Sequence, residues 1–145
     1  MAMDAEGIIR ALGLQPHPEG GWFVENYRHD SGDGARGAST AIYYLLRAGA
    51  RSHWHRVRDA DEVWHWYAGG PLKLRLAPPE EGREDMLTLG NDIAAGQRPQ
   101  ALVPADHWQA AAPAGDWVLV GCTVSPAFEF SAFEMAPEGW SPHGS

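Results

Sequence analysis

Glycine and proline interrupt this chain so often that no apolar pattern runs for long. The 145 residues hold 17 glycines and 11 prolines. Many of the pieces between them are short and rich in aromatic and β-branched residues. A helical bundle cannot be assembled from such fragments, whereas short strands joined by turns can. About eight or nine strands are predicted, with no alternation of strand and helix, so the fold class is all-β: an antiparallel double sheet or barrel of the jelly-roll kind. No repeat or linker divides the chain, and its length suits one domain with a single core.

Taken in order, Asp4 to Leu14 reads as a short N-terminal helix. Asp4 is the N-cap, Ile8, Ile9 and Leu12 are at helical spacing, and Gly13 ends it. It is expected to pack outside the barrel. Pro18, Gly20 and Gly21 make a turn into a strand at Trp22–Tyr27, where alternation puts Phe23, Glu25 and Tyr27 on one face. Glu25 between two rings is either on an exposed edge or in a pocket wall, and Arg28 is placed to pair with it or to meet an anionic ligand. Asp30 to Ala38 is a flexible loop. Ser39 to Leu46, apolar on both faces, is a central strand. Leu72 to Leu76 alternates leucine with basic residues, Pro78 to Arg83 turns, and Asp85 to Leu89 is a strand. A short strand follows the turn at Pro104, Trp117 to Val124 is central, and Pro126 to Phe133 is the last strand. The tail beyond Ala136 reads as frayed.

The net charge of −8 and pI near 5.2 argue against nucleic acid, which needs a clustered basic surface. No apolar run is long enough for a bilayer span, and the N-terminus lacks a basic region followed by an apolar one. The single cysteine, Cys122, rules out an internal disulfide framework and is compatible with a reducing cytoplasm; it reads as a small core residue.

The chemistry concentrates between Ser52 and Pro71. The first part, polar and unpatterned, reads as a loop or strand end carrying His53 and His55; Glu62 to Tyr67 reads as a strand carrying Glu62, Trp64, His65 and Trp66. Histidines and a carboxylate delivered together are what the mouth of a small barrel uses. His65 lies an odd number of residues from Glu62, so in a regular strand it faces away; a bulge would reverse that.

Further strings extend this pattern: His17-Pro18-Glu19-Gly20-Gly21-Trp22-Phe23, Ser39-Thr40-Ala41-Ile42-Tyr43, Trp54-His55-Arg56-Val57, Asp61-Glu62-Val63-Trp64-His65, Gln100-Ala101-Leu102-Val103-Pro104-Ala105 and Trp108-Gln109-Ala110-Ala111. Together they resemble the cupin-5 group of RmlC-like cupins, a group of unknown function, over about Leu14 to Glu134. The resemblance implies a β-jelly-roll and, as is common for cupins, a homodimer. It implies three imidazoles and a carboxylate around a divalent metal (Fe, Mn, Ni or Zn) in the full motif. Here one imidazole (His55), Glu62 and the amide of Gln109 occupy those slots, with His53 or His65 as replacement ligands. Asp106 stands where the second motif has glycine, and aspartate tolerates the left-handed backbone such a turn needs. Carried over residue by residue, the pocket candidates are Glu25, Arg28, His55, Glu62, His65 and Gln109, with Tyr43, Trp64, Trp66 and Trp108 as aromatic walls.

Three readings stay open. A metal-free enzyme would use His55 and Glu62 as an acid/base pair on a carbohydrate-like substrate, in epimerase or isomerase chemistry. A metal-dependent oxygenase or isomerase would need open coordination positions. A small-molecule-binding protein would need only the cavity. If Glu25 and Glu62 share that cavity, their proximity pushes one pKa upward.

Overall fold

The computed structural model describes residues 3–80 and 82–143. Glu81, within the expected turn at Pro78–Arg83, and the last two residues of the tail lie outside them. Helix α1 (Ala5–Leu12) begins at Asp4, whose side chain accepts from the Gly7 amide, and ends at Gly13 in the left-handed conformation. Eleven strands follow among the described residues: β1 (Gln15–Pro16), β2 (Trp22–Arg28), β3 (Thr40–Arg47), β4 (Ser52–Val57), β5 (Asp61–Gly69), β6 (Leu72–Ala77), β7 (Asp85–Leu89), β8 (Gln100–Val103), β9 (Trp108–Pro113), β10 (Trp117–Ser125) and β11 (Phe133–Met135). They form a six-stranded sheet ordered β1-β2-β3-β10-β5-β8 and a five-stranded sheet ordered β11-β4-β9-β6-β7, with antiparallel pairing throughout. Two packed antiparallel sheets are the expected jelly roll.

The inward faces divide along their length into a dry end and a polar end. At the dry end Tyr44, Leu46, Trp64, Val118 and Val120 meet Leu72, Leu74, Leu89 and Ala111. Toward the other end the same strands carry Thr40, Ile42, Glu62, Cys122 and Val124, and β4 carries His55 and Val57. β3 is apolar on both faces because α1 covers its outer side, where Leu45 is sealed against Ile8 and Leu14.

Three local expectations change. Ser52–Val57 is a full strand, not a loop. Ser52 pairs with Ala111 and His55 with Gln109, so β4 has one residue more than β9 between the two pairs. That bulge hides the alternation, because Ser52 and His55 face inward three residues apart. Trp54 on the outer face is buried as well, under Trp108 and Trp140. Pro126–Phe133 is not a strand but a loop and a 3-10 turn at Phe130–Ala132; the last strand is only Phe133–Met135, paired with β4. The tail folds back far enough to place Trp140 4.5 Å from the Trp108 ring. Asp106 has φ 68°, the left-handed turn expected of it.

Candidate functional site

The polar end of the barrel opens into a small cavity of about 60 Å³, room for a few waters or a compact chemical group. Glu19, His55, Glu62 and Cys122 lie deepest, and His17, Phe23 and Glu25 wall one side. Phe128, Phe130 and Phe133 form the rim, their rings mutually edge-on at 5.0 to 6.0 Å between centroids.

His55 is held at both ring nitrogens. Nδ1 lies 2.7 Å from the His53 carbonyl, which can only accept, so Nδ1 carries a proton. Nε2 lies 3.0 Å from Glu19 Oε2, and both side chains are nearly inaccessible to solvent. Burial alone would lower the imidazole pKa. The Glu19 charge and hydrogen bond outweigh it, Glu62 adds to them, and the pKa rises to about 9. Burial likewise pushes the Glu19 carboxyl up, but the His55 charge and hydrogen bond pull it below its usual value. At neutral pH the two are a buried imidazolium–carboxylate pair.

Glu62 sits beside that pair in the opposite condition. Burial raises its pKa, and the neighbouring Glu19 charge adds to the rise. The attraction of His55 and the hydrogen bonds from Gln109 and the Cys122 thiol compensate only in part. Gln109 is oriented by Trp64: the indole N–H can only donate, and it meets Gln109 Oε1 at 2.8 Å. The amide nitrogen therefore faces Glu62 Oε1, also at 2.8 Å. Cys122 stays a thiol, because burial and then the charges of Glu62 and Glu19 push its pKa well up.

The turn His17–Gly21 supplies the groups that sequence reasoning missed. His53 N–H donates to the Glu19 carbonyl and Tyr44 O–H to the Gly20 carbonyl, fixing the turn over the barrel end. Gly20 has φ 109°, and a Cβ there would lie 2.0 Å from the Arg51 carbonyl oxygen, so the close approach requires glycine. From sequence Glu19 reads only as part of a turn, because carboxylates in Pro-Glu-Gly-Gly contexts are ordinarily exposed. The one signal for it was His17 two residues before, which puts an imidazole and a carboxylate side by side in one short turn.

The sequence candidates separate accordingly. Glu25 lines the same cavity as Glu62. A bulge at Asn26 brings Arg28 round to clamp Glu25 through both its oxygens, at 2.8 and 2.9 Å, at the mouth. Gln109 lies behind Glu62 rather than in the wall. His55 pairs with Glu19 rather than with Glu62. Trp64 and Trp66 belong to the dry core, Trp66 donating to the Gly70 carbonyl. Trp108 is on the outer face of the second sheet under Trp140, and Tyr43 is on the outer face of the first, beside Tyr67. His65 faces outward to Thr123, as alternation required. His53 also turns away, to the carbonyls of Ala136 and Pro137.

The family model described as Cupin superfamily (DUF985) matches residues 6–136. The chain belongs to this cupin family. A Shewanella oneidensis protein of known structure is 41% identical over 93% of this chain and 85% of its own, with a TM-score of 0.87. A hypothetical protein from Leishmania major is 29% identical over 92% of this chain and 88% of its own, at 0.83. A dTDP sugar isomerase from Desulfovibrio desulfuricans shares the fold, at 20% identity over 91% of this chain and 88% of its own, with a TM-score of 0.63. No curated protein matches the chain.

Cupin barrels can hold metals, but the donors named here for Fe, Mn, Ni or Zn do not converge. His53 points out of the barrel, both nitrogens of His55 are engaged, and the Gln109 oxygen is taken by the Trp64 indole. Among the described residues no group of three or more His, Cys, Asp or Glu side chains is arranged to hold an ion. The residues present do not fit the metal set of the full motif.

Proposed function

We propose that this cupin binds a small oxygenated molecule in its barrel and moves a proton on it, with Glu62 as the acid/base group. The carrying observation is the deep carboxyl of Glu62, held at one oxygen by Gln109, beside a His55–Glu19 pair whose nitrogens and charges are already engaged. A carboxyl whose pKa is raised toward neutrality is a better matched base than a free one. In this reading Glu62 accepts a proton from carbon next to a carbonyl and returns it. The fixed imidazolium of His55 keeps its ionised form accessible, and Arg28 and Glu25 shape the mouth. The shared fold with a sugar isomerase supports a carbohydrate-like substrate in epimerase or isomerase chemistry. The reaction so written uses no metal.

The test is deuterium uptake from D2O, followed by NMR, at the carbon next to the carbonyl in a panel of free and nucleotide-linked keto-sugars. Glu62→Gln should slow uptake by about 100-fold or more. Absence of uptake with every member would sink proton transfer. One observation favours the alternative of a binding protein without turnover: His55, the deep histidine of the cavity, has no free nitrogen to offer. Thermal stabilisation by a panel member without exchange would select that reading.

We also propose that two copies pair through the outer face of the first sheet, where Tyr27, Tyr67 and Leu102 are each about half exposed. The buried free thiol of Cys122 is in keeping with a reducing cytoplasm.

A further inference from the structure

His17 is the cavity histidine not used above. Its Nδ1 accepts the backbone N–H of Glu19 at 3.1 Å, and since that donor is a peptide amide, Nδ1 cannot carry a proton. The ring is thus neutral with its proton on Nε2. Phe23 and Tyr44 hold it edge-on at 4.4 and 5.7 Å between centroids. Among the described residues Nε2 has no hydrogen-bond partner, and His17 lines the cavity. Burial, the largest influence on this ring, also lowers its pKa. A neutral imidazole locked in one tautomer and facing a cavity is a hydrogen-bond donor without a charge.

The cations of the cavity and its mouth are already paired with carboxylates. His55 is neutralised by Glu19, and at the mouth Arg28 is clamped by Glu25. The deep residues therefore offer no unpaired cation, while Glu19 and Glu62 would repel an incoming anion. The rim is made of phenyl rings, and the free volume of about 60 Å³ admits only a compact group. We infer that His17 is the donor that receives the ligand, and that the group entering the cavity is an uncharged oxygen acceptor, a carbonyl or hydroxyl, rather than a carboxylate or phosphate. This rests on the ligand pocket proposed above, and it names the chemistry the pocket selects.

Dihydroxyacetone and pyruvate are suitable probes: both are three-carbon carbonyl compounds, and only pyruvate is charged. Long-range 1H–15N NMR of the histidine rings would be followed as each is titrated into the full-length protein, alongside His17→Phe and His17→Gln. Dihydroxyacetone should give a saturable shift at His17 Nε2, and pyruvate should bind about tenfold more weakly or not at all. His17→Phe, which keeps a ring against Phe23 and Tyr44, should weaken dihydroxyacetone by about tenfold, while His17→Gln, which retains an N–H, should lose less. The ring shift in the unmodified protein gives a readout independent of whether either variant folds. A missing shift, pyruvate binding as tightly as dihydroxyacetone, or unchanged affinity in a folded His17→Phe would each overturn the inference. Dihydroxyacetone binding at His17 without deuterium exchange in the keto-sugar panel would remove the acid/base role of Glu62 and leave this assignment standing.

Discussion

Glu19 and His55 hold each other charged in a place where neither would be charged alone, so stability should follow pH in a particular way. The raised His55 pKa makes its contribution complete below the unfolded value of 6.5 and lost as pH rises through about 9. The depressed Glu19 pKa acts in the other sense: its contribution is complete above 4.5 and lost as pH falls through the lower folded value. Glu62, raised from 4.5, adds a loss with rising pH, since folding disfavours its ionised form. Urea unfolding should therefore show stability declining between neutral pH and pH 9 and beyond. Glu19→Gln should remove about 3 kcal/mol at pH 7 and flatten that alkaline decline, because His55 then has little reason to stay protonated. An unchanged alkaline slope in this variant would contradict the pairing. Of these residues the sequence made His55 and Glu62 legible, since they stand close together in a stretch crowded with histidine and tryptophan. It did not make Glu19 legible: its partner is 36 residues away, and only the fold brings the two within reach.

Elements with a clear apolar pattern were legible, β2 among them despite its bulge at Asn26, and β4 was not. β6, with leucines inward and basic residues outward, and β3 and β10, apolar on both faces, were read with their burial. β4 was not, because its bulge breaks the period of two on which any strand reading depends. The stretch after Pro126 misled for another reason: its phenylalanines suit a strand, but they close over a cavity instead of extending a sheet. The turn at His17–Gly21 was read as a turn, but not as a structural support for the site. Gly20→Ala tests its importance. The added methyl meets the Arg51 carbonyl, so the turn must shift, at about 2 kcal/mol or more in stability. The same shift should draw Glu19 away from His55 and lower the His55 pKa, visible in an NMR titration. Gly32→Ala is the control. Its φ is also positive, at 82°, but nothing stands in the way of a side chain, so it should cost about 1 kcal/mol and leave His55 unmoved.

For the molecule as a whole, the sequence was sufficient for the jelly roll and the outer helix, because short strands, turn residues and one capped amphipathic segment agree with one another. It could not show that the barrel has a dry end and a polar end, which is decided by register between strands far apart in the chain. The outer face of the first sheet carries a different expectation. Tyr67 lies flat over Gly121, stacked with His65 and edge-on to Tyr43, and it is about half exposed. If two copies meet there, Tyr67→Asp should convert a dimer to a monomer in light scattering without loss of the cavity. A dimer that survives the substitution would place the contact elsewhere.

The five-residue turn from His17 to Gly21 contributes two of the six titratable side chains deep in the cavity or on its near wall while adding nothing to the strands of the barrel. Lineages of this barrel could therefore exchange one chemistry for another by altering a single loop. Replacing that loop would leave His55 without its counter-charge and the cavity without its neutral donor, yet every sheet pairing would persist. Adaptability of this kind is a property of where a fold keeps its chemistry, and here much of it is kept outside the sheets.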